Sequence, residues 1–290
     1  MEIRQKVEGR EHPSTLTSIS NLAVIYRNQG RWREAEELEV LLKEIRQKVL
    51  GEEYPDMLTS MNNLALTYSN QGRWREAENL QDQVIKIVQK VLGEEHPSTL
   101  SSIGNLASTY WNQGRWTEAE ELEMQVMQKR QKVLGDEHPS TLASMANLAS
   151  IYSKQRRWKE AEELEVQVLQ KRQQTIGEEH PSTLNSMGNL ASTYRYQGRW
   201  KEAEVLQLQE RKIKQKVLGE MHPSTLISIN NLAFNWKGQG RVVEAISLME
   251  RCFQLRQQVL GPRHPVTEGS LQALNIWRDK THELDQSLQN

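Results

Sequence analysis

A chain of 290 residues, 37% of them hydrophobic, carries 37 Lys plus Arg against 38 Asp plus Glu, a net charge of −1. That balance argues against a general nucleic-acid binder, which needs excess positive charge to displace phosphate counterions. The single cysteine, Cys252, rules out an intramolecular disulfide and points to a reducing, cytoplasmic setting, and no run of about 18 apolar residues is present to span a membrane.

In chain order, the sequence opens on Met1 to Val7, which matches Glu44 to Val49 almost letter for letter. Residues 1–11 are therefore expected to be the tail of a second helix, as in a piece of a larger protein or a gene that begins within an array. His12-Pro13 then returns as Tyr54-Pro55, His96-Pro97, His138-Pro139, His180-Pro181, His222-Pro223 and His264-Pro265, always 42 residues apart. A fixed period of this length marks a solenoid, whose units bury their hydrophobic faces only by stacking on neighbours. Residues 12–263 divide into six full repeats, and 264–290 form a degenerate capping helix.

Within the unit His96 to Gly135, Leu100, Ile103, Leu106, Ala107 and Tyr110 recur at spacings of three and four, one face of a helix. Pro97 suits a first helical turn, where its missing N–H costs nothing. Gly114 closes that helix through a left-handed conformation. A second helix follows, with Trp116, Ala119, Leu122, Val126, Val133 and Leu134 facing one way and Glu118, Glu120, Glu121, Gln128, Lys129 and Arg130 mostly outward. Gly135 ends it, and Pro139 holds His138 extended. Small Ala107 and Ala119 allow close approach, so the unit reads as an antiparallel helix hairpin. Trp32, Trp74, Trp116, Trp158 and Trp200 hold equivalent places, with Val242 as the sixth; one aromatic per unit at helix-face spacing is read as packing between helices. In the fourth unit Arg156 replaces the glycine found at 30, 72, 114, 198 and 240.

Asn105 to Tyr110 followed by Gln113-Gly114-Arg115-Trp116 and Glu118-Ala119-Glu120 resembles the tetratricopeptide repeat, and more closely the 42-residue kind of kinesin light chains, which also carry Leu-Gly-x-x-His-Pro linkers. Units with Arg-Trp and Glu-Glu-Leu-Glu are similar to the C-terminal arrays of fungal nucleotide-binding, NLR-like receptors. The resemblance implies an all-α, right-handed superhelical solenoid that binds a peptide or protein partner in a concave groove lined by first helices. One site departs from the 34-residue pattern. Its second-helix aromatic is replaced by Glu39, Gln81, Glu123, Glu165, Gln207 and Met249, so packing there must be looser or redistributed.

No phosphate loop and no zinc-binding His-Glu-x-x-His helix occurs, and the linker histidines are spread along the array rather than gathered on a metal. Glu36, Glu37 and Glu39, like Glu162, Glu163 and Glu165, read as a solvated face with exposed ion pairs. Cys252 falls on a buried helix face beside Phe253. Neither a catalytic constellation nor a cofactor site is expected.

Asn21, Asn63, Asn105, Asn147, Asn189 and Asn231 precede each Leu-Ala pair, away from the packing stripe. The resemblance implies that this asparagine hydrogen-bonds the backbone of a bound extended peptide, and an amide, at once donor and acceptor, suits the task; a structural bond to the neighbouring unit is the other reading. Three residues after each Asn come Val24, Leu66, Ser108, Ser150, Ser192 and Phe234; six after come Arg27, Ser69, Trp111, Ser153, Arg195 and Lys237. Packing cannot dictate residues that vary so freely. Arg27, Arg195 and Lys237 put cations at both ends of the groove and Trp111 near its middle, which favours an acidic peptide. The sequence thus predicts a non-enzymatic scaffold, the ligand-binding region of a larger NLR-like protein, that binds neither nucleic acid nor membrane. The alternatives are a cargo adaptor like kinesin light chain and a self-associating array.

Overall fold

Prolines open one set of helices and glycines close the other, and that punctuation sets the architecture. The computed structural model describes residue 9, residues 11–51 and residues 53–289, with side chains to residue 279; the expected helix tail in residues 1–11 falls almost wholly outside them. The described residues form thirteen helices. In the first unit, Met1–Gln155, these are α1 (Pro13–Asn28), α2 (Trp32–Leu50), α3 (Pro55–Asn70), α4 (Trp74–Leu92), α5 (Pro97–Asn112), α6 (Trp116–Leu134) and α7 (Pro139–Lys154). In the second, Arg156–Asn290, they are α8 (Trp158–Ile176), α9 (Pro181–Tyr196), α10 (Trp200–Leu218), α11 (Pro223–Gly238), α12 (Val242–Leu260) and α13 (Pro265–Gln289). Within each unit every helix packs on the next. The fold is all-α, built from helix hairpins, and no described helix is long and apolar enough to cross a membrane.

The linker histidine does more than hold an extended conformation. His138 has ψ 137°, and its Nδ1 accepts from the Ser140 N–H at 3.1 Å, capping α7. His96, His180 and His222 cap α5, α9 and α11 in the same way. An N-cap acceptor satisfies one of the amides that a helix start leaves unpaired. The first helices of the hairpins end in Schellman turns. In α1 the Arg31 N–H reaches the Tyr26 carbonyl at 2.9 Å and Gly30 N–H the Arg27 carbonyl at 3.0 Å, with Gly30 at φ 74°. Among the described residues, Arg156, at φ 63°, is the non-glycine residue held in the left-handed region.

The alanines do what their size suggests: Ala107 on α5 and Ala119 on α6 are buried, as are their equivalents in every hairpin. Leu100, Ile103 and Val126 form one core cluster of the first unit, and Leu169, Leu184, Met187 and Leu190 one of the second. Cys252 is fully buried, its thiol donates to the Leu226 carbonyl at 3.4 Å, and burial raises its pKa.

Several side chains sit elsewhere than the periodicity suggests. The tryptophans are not core: Trp32 is 41% exposed and Trp116 39%. They cover the end of the following first helix instead, as where the Trp158 ring stacks on Tyr196 with centroids 4.8 Å apart. Val133, near the end of α6, is exposed rather than on the packed face. Arg130 is buried rather than outward, donating to the Ser140 carbonyl and to Ser144 Oγ at 2.7 Å. Arg46, Arg172 and Arg256 make the same pair of bonds to the next first helix. At the C-terminal end Leu274 is buried against the last hairpin, but Leu271 is exposed. Its place is taken by Trp277, buried in the cluster of Leu232, Met249 and Cys252 and edge-on to Phe234 at 5.1 Å.

Candidate functional site

The face of the first helices that carries the asparagines is mostly uncharged. Asn21, Asn147 and Asn189 are exposed, and Asn63, Asn105 and Asn231 half-buried. Asn147 also serves the fold, its Nδ2 donating to Glu123 Oε1 at 3.3 Å. The remaining capacity of that amide stays available, so the two readings of the asparagine are compatible at this position. Ser108 and Ser150 donate their hydroxyl protons to the carbonyls of Gly104 and Ala146 at 3.0 Å, which leaves their oxygens as acceptors.

The variable residues have unlike surroundings. Arg27 is engaged: its Nη1 lies 3.2 Å from Glu39 Oε1 and 3.2 Å from the Asn63 carbonyl oxygen. Arg195 is half-buried, with Nε lacking a hydrogen-bond partner in the protein, and burial lowers its pKa. Lys237 is half-buried. Trp111 lines a cavity of about 310 Å³ with Ser108, Glu123, Asn147, Ser150 and Ile151. Its Nε1 is buried without a partner in the protein, and Lys154 Nζ sits 5.4 Å from the ring centroid.

Beneath this face runs a row that sequence periodicity misassigns. Glu39, Gln81, Glu123, Glu165 and Gln207 are all nine-tenths or more buried. At Glu39, Glu123, Glu165 and Gln207 packing at the missing aromatic is redistributed into polar contacts, whereas the buried Gln81 amide has no hydrogen-bond partner among the described residues. Gln207 Oε1 accepts from Asn235 at 2.8 Å, while Glu165 is held by Thr193 and no cation among the described residues acts on it. Desolvation raises the pKa of Glu39 and Glu123, and that of Glu165 to about 7. The signal in the sequence was the position itself: a site that holds an aromatic in related repeats is an inward site whatever residue occupies it.

Glu36 and Glu162 are not simply solvated either. The arginine that closes each turn reaches back one hairpin, Arg73 to Glu36 at 2.6 Å and Arg199 to Glu162 at 2.7 Å, while its guanidinium covers the tyrosine ahead of the turn at 4.1 Å in both cases. The described residues hold no group of three or more His, Cys, Asp or Glu able to bind a metal.

Two profiles, each described as a tetratricopeptide repeat, match the chain. One spans residues 42–90, 56–131 and 102–174, the other 15–56, 183–224 and 225–266. No curated protein matches significantly. Among solved structures, a Podosopora anserina putative kinesin light chain with nearly identical TPR-like repeats is 41% identical. The match covers 71% of this chain and 97% of that one, with a TM-score of 0.59. A signal-transduction ATPase with numerous domains from Pyrococcus horikoshii, which carries a tetratricopeptide repeat sensor, superposes at TM-score 0.68 and 11% identity over 92% of this chain and 39% of its own. A Rap protein complexed with competence and sporulation factor does so at 0.59 and 12% over 91% and 75%. At such identities the last two show a shared fold.

Proposed function

This chain belongs to the tetratricopeptide repeat family, and on that premise we propose that it is a non-enzymatic interaction scaffold that holds an extended segment of another protein along the asparagine-bearing face of its first helices. The observation that carries this reading is the contrast between the two sides of each first helix. One side repeats Leu, Ala and Thr in a buried frame, whereas the other keeps an amide at a fixed register and changes its neighbours from hairpin to hairpin. A backbone-directed amide beside variable side chains is the division of labour that peptide recognition requires: the amide holds any main chain, and the neighbours select its side chains.

The chain acts, in this reading, as the ligand-binding part of a larger NLR-like protein. Its fold is shared with the sensor of the Pyrococcus horikoshii ATPase, and its repeats are similar to those of the Podosopora anserina putative kinesin light chain, which keeps cargo adaptor as the rival assignment.

Selection of binders from a displayed library of unstructured peptides tests the proposal. Asn105→Ala and Asn147→Ala are each expected to weaken a selected peptide by about 0.5–1.5 kcal/mol with unchanged helicity. Full affinity in both variants would move binding to the second helices. A mass that grows with concentration in sedimentation, without peptide, would favour self-association instead.

A further inference from the structure

Arg27 and Glu39 mark a slot that recurs once per hairpin, and each hairpin fills it with a different pair. In the first it is closed from within, since the Arg27 guanidinium spans the buried Glu39 carboxylate and the Asn63 carbonyl oxygen on the next first helix. In the second, the corresponding positions carry the uncharged pair Ser69 and Gln81. The third holds Trp111 and Glu123. Here the carboxylate is 1% exposed, its hydrogen bonds come from the neutral Asn147 and Ser144, and the cation acting on it, Arg130, makes its own hydrogen bonds to the Ser140 carbonyl and Ser144. Glu123 also lines the cavity of about 310 Å³ that opens beside Trp111, a space on the order of ten water molecules.

A carboxylate buried without a paired cation is costly, and the cost is relieved when a cation arrives in hydrogen-bonding geometry. The first hairpin shows which cation the frame accommodates, because a guanidinium already sits there with a carboxylate on one side and a main-chain carbonyl on the other. The third hairpin supplies the same carboxylate, and in Trp111 a ring that already has Lys154 Nζ 5.4 Å from its centroid. Rings of this kind hold planar guanidinium groups well.

We propose that the Trp111–Glu123 slot is a receptor for one arginine side chain of the bound segment, with Glu123 as its counter-ion and Trp111 as the surface on which the guanidinium stacks. The inference rests on the reading of this face as a peptide groove. It assigns a basic side chain to the middle of the first unit, opposite in sign to the acidic groups that Arg195 and Lys237 would select in the second.

The test uses the full chain, labelled with ¹⁵N, and follows the Trp111 indole N–H resonance, identified by its loss in Trp111→Phe. Nα-acetyl-argininamide should shift that resonance saturably and bind at least tenfold more tightly than Nα-acetyl-citrullinamide, which keeps the shape and lacks the charge. Glu123→Gln should abolish the preference without disturbing the fold, since Gln81 and Gln207 occupy the same position in other hairpins. Lys154→Ala should strengthen binding by removing a competing cation. Equal binding of the two amides, or an arginine preference that survives Glu123→Gln, overturns the proposal. Failure of the slot and failure of the groove look different. Selected peptides that depend on Asn147 but carry no arginine and ignore Glu123→Gln would leave the groove and remove the slot; argininamide binding without any Asn-dependent peptide would leave the slot and remove the groove.

Discussion

Trp200 lies so close over Gly238 that a Cβ built on the glycine would fall 2.5 Å from the indole ring. Gly238 ends α11, and a helical glycine is ordinarily worth replacing, since alanine gains roughly 1 kcal/mol in helix propensity. Here the clash should win. Gly238→Ala is expected to lower stability by about 1–3 kcal/mol, the range for overpacking, and Trp200→Ala in the same chain should remove most of that penalty. A double-mutant cycle by chemical denaturation checks it.

Arg156 makes the opposite case. Its φ of 63° is forced by a turn that glycine occupies elsewhere, and a side chain in the left-handed region costs on the order of 1 kcal/mol. Arg156→Gly should raise stability in denaturant titration by about that amount. A fall would mean that the arginine has contacts that outweigh the strain.

Glu165 gives the array a pH dependence. Its carboxyl titrates at about 7 in the folded chain against an ordinary value of 4.5, chiefly through desolvation, with Glu162 adding to the shift. The raised value means that the neutral form is favoured in the fold. The contribution is complete below pH 4.5 and is lost as pH rises to about 7, a difference of about 3 kcal/mol at most. Glu165→Gln should therefore stabilise the protein at about pH 8 and change little at about pH 4.5, measured by denaturant titration at both values.

At the C-terminal end, Trp277 and Leu271 should separate. Trp277 is buried against the last hairpin, so Trp277→Ala is expected to cost about 3–5 kcal/mol, whereas exposed Leu271 should tolerate alanine within about 0.5 kcal/mol. Equal losses would show that the cap is held by other contacts.

What could be read in the sequence, and what could not, divides along physical lines. Pro97, Gly114 and Gly135 announce the helix ends because backbone conformation leaves a signature in single residues, and the alanine pairs announce close approach because only size matters there. Arg130 and Glu123 were opaque for the opposite reason. Their burial depends on partners on the next first helix, Ser144 and Asn147, and a charged residue looks outward until those partners are placed. Trp116 misled because a periodic aromatic satisfies core packing and edge packing equally well. The asparagine ladder was legible as a register, but its surroundings were not: that Arg27 is already engaged, and that Glu123 lies under Trp111, follows only from the geometry.

Arg46 to Ser60, Arg130 to Ser144 and Arg256 to Ser270 join one hairpin to the next at a register outside the slots, while slot residues add bonds of their own, as Arg27 does to the Asn63 carbonyl and Glu123 to Asn147. Gain or loss of one 42-residue stretch that carries such an arginine would thus keep this joint and change the order in which slots follow one another. Such a chain can rewrite what it recognises by shuffling whole segments, with no new side chain invented and no core to repack.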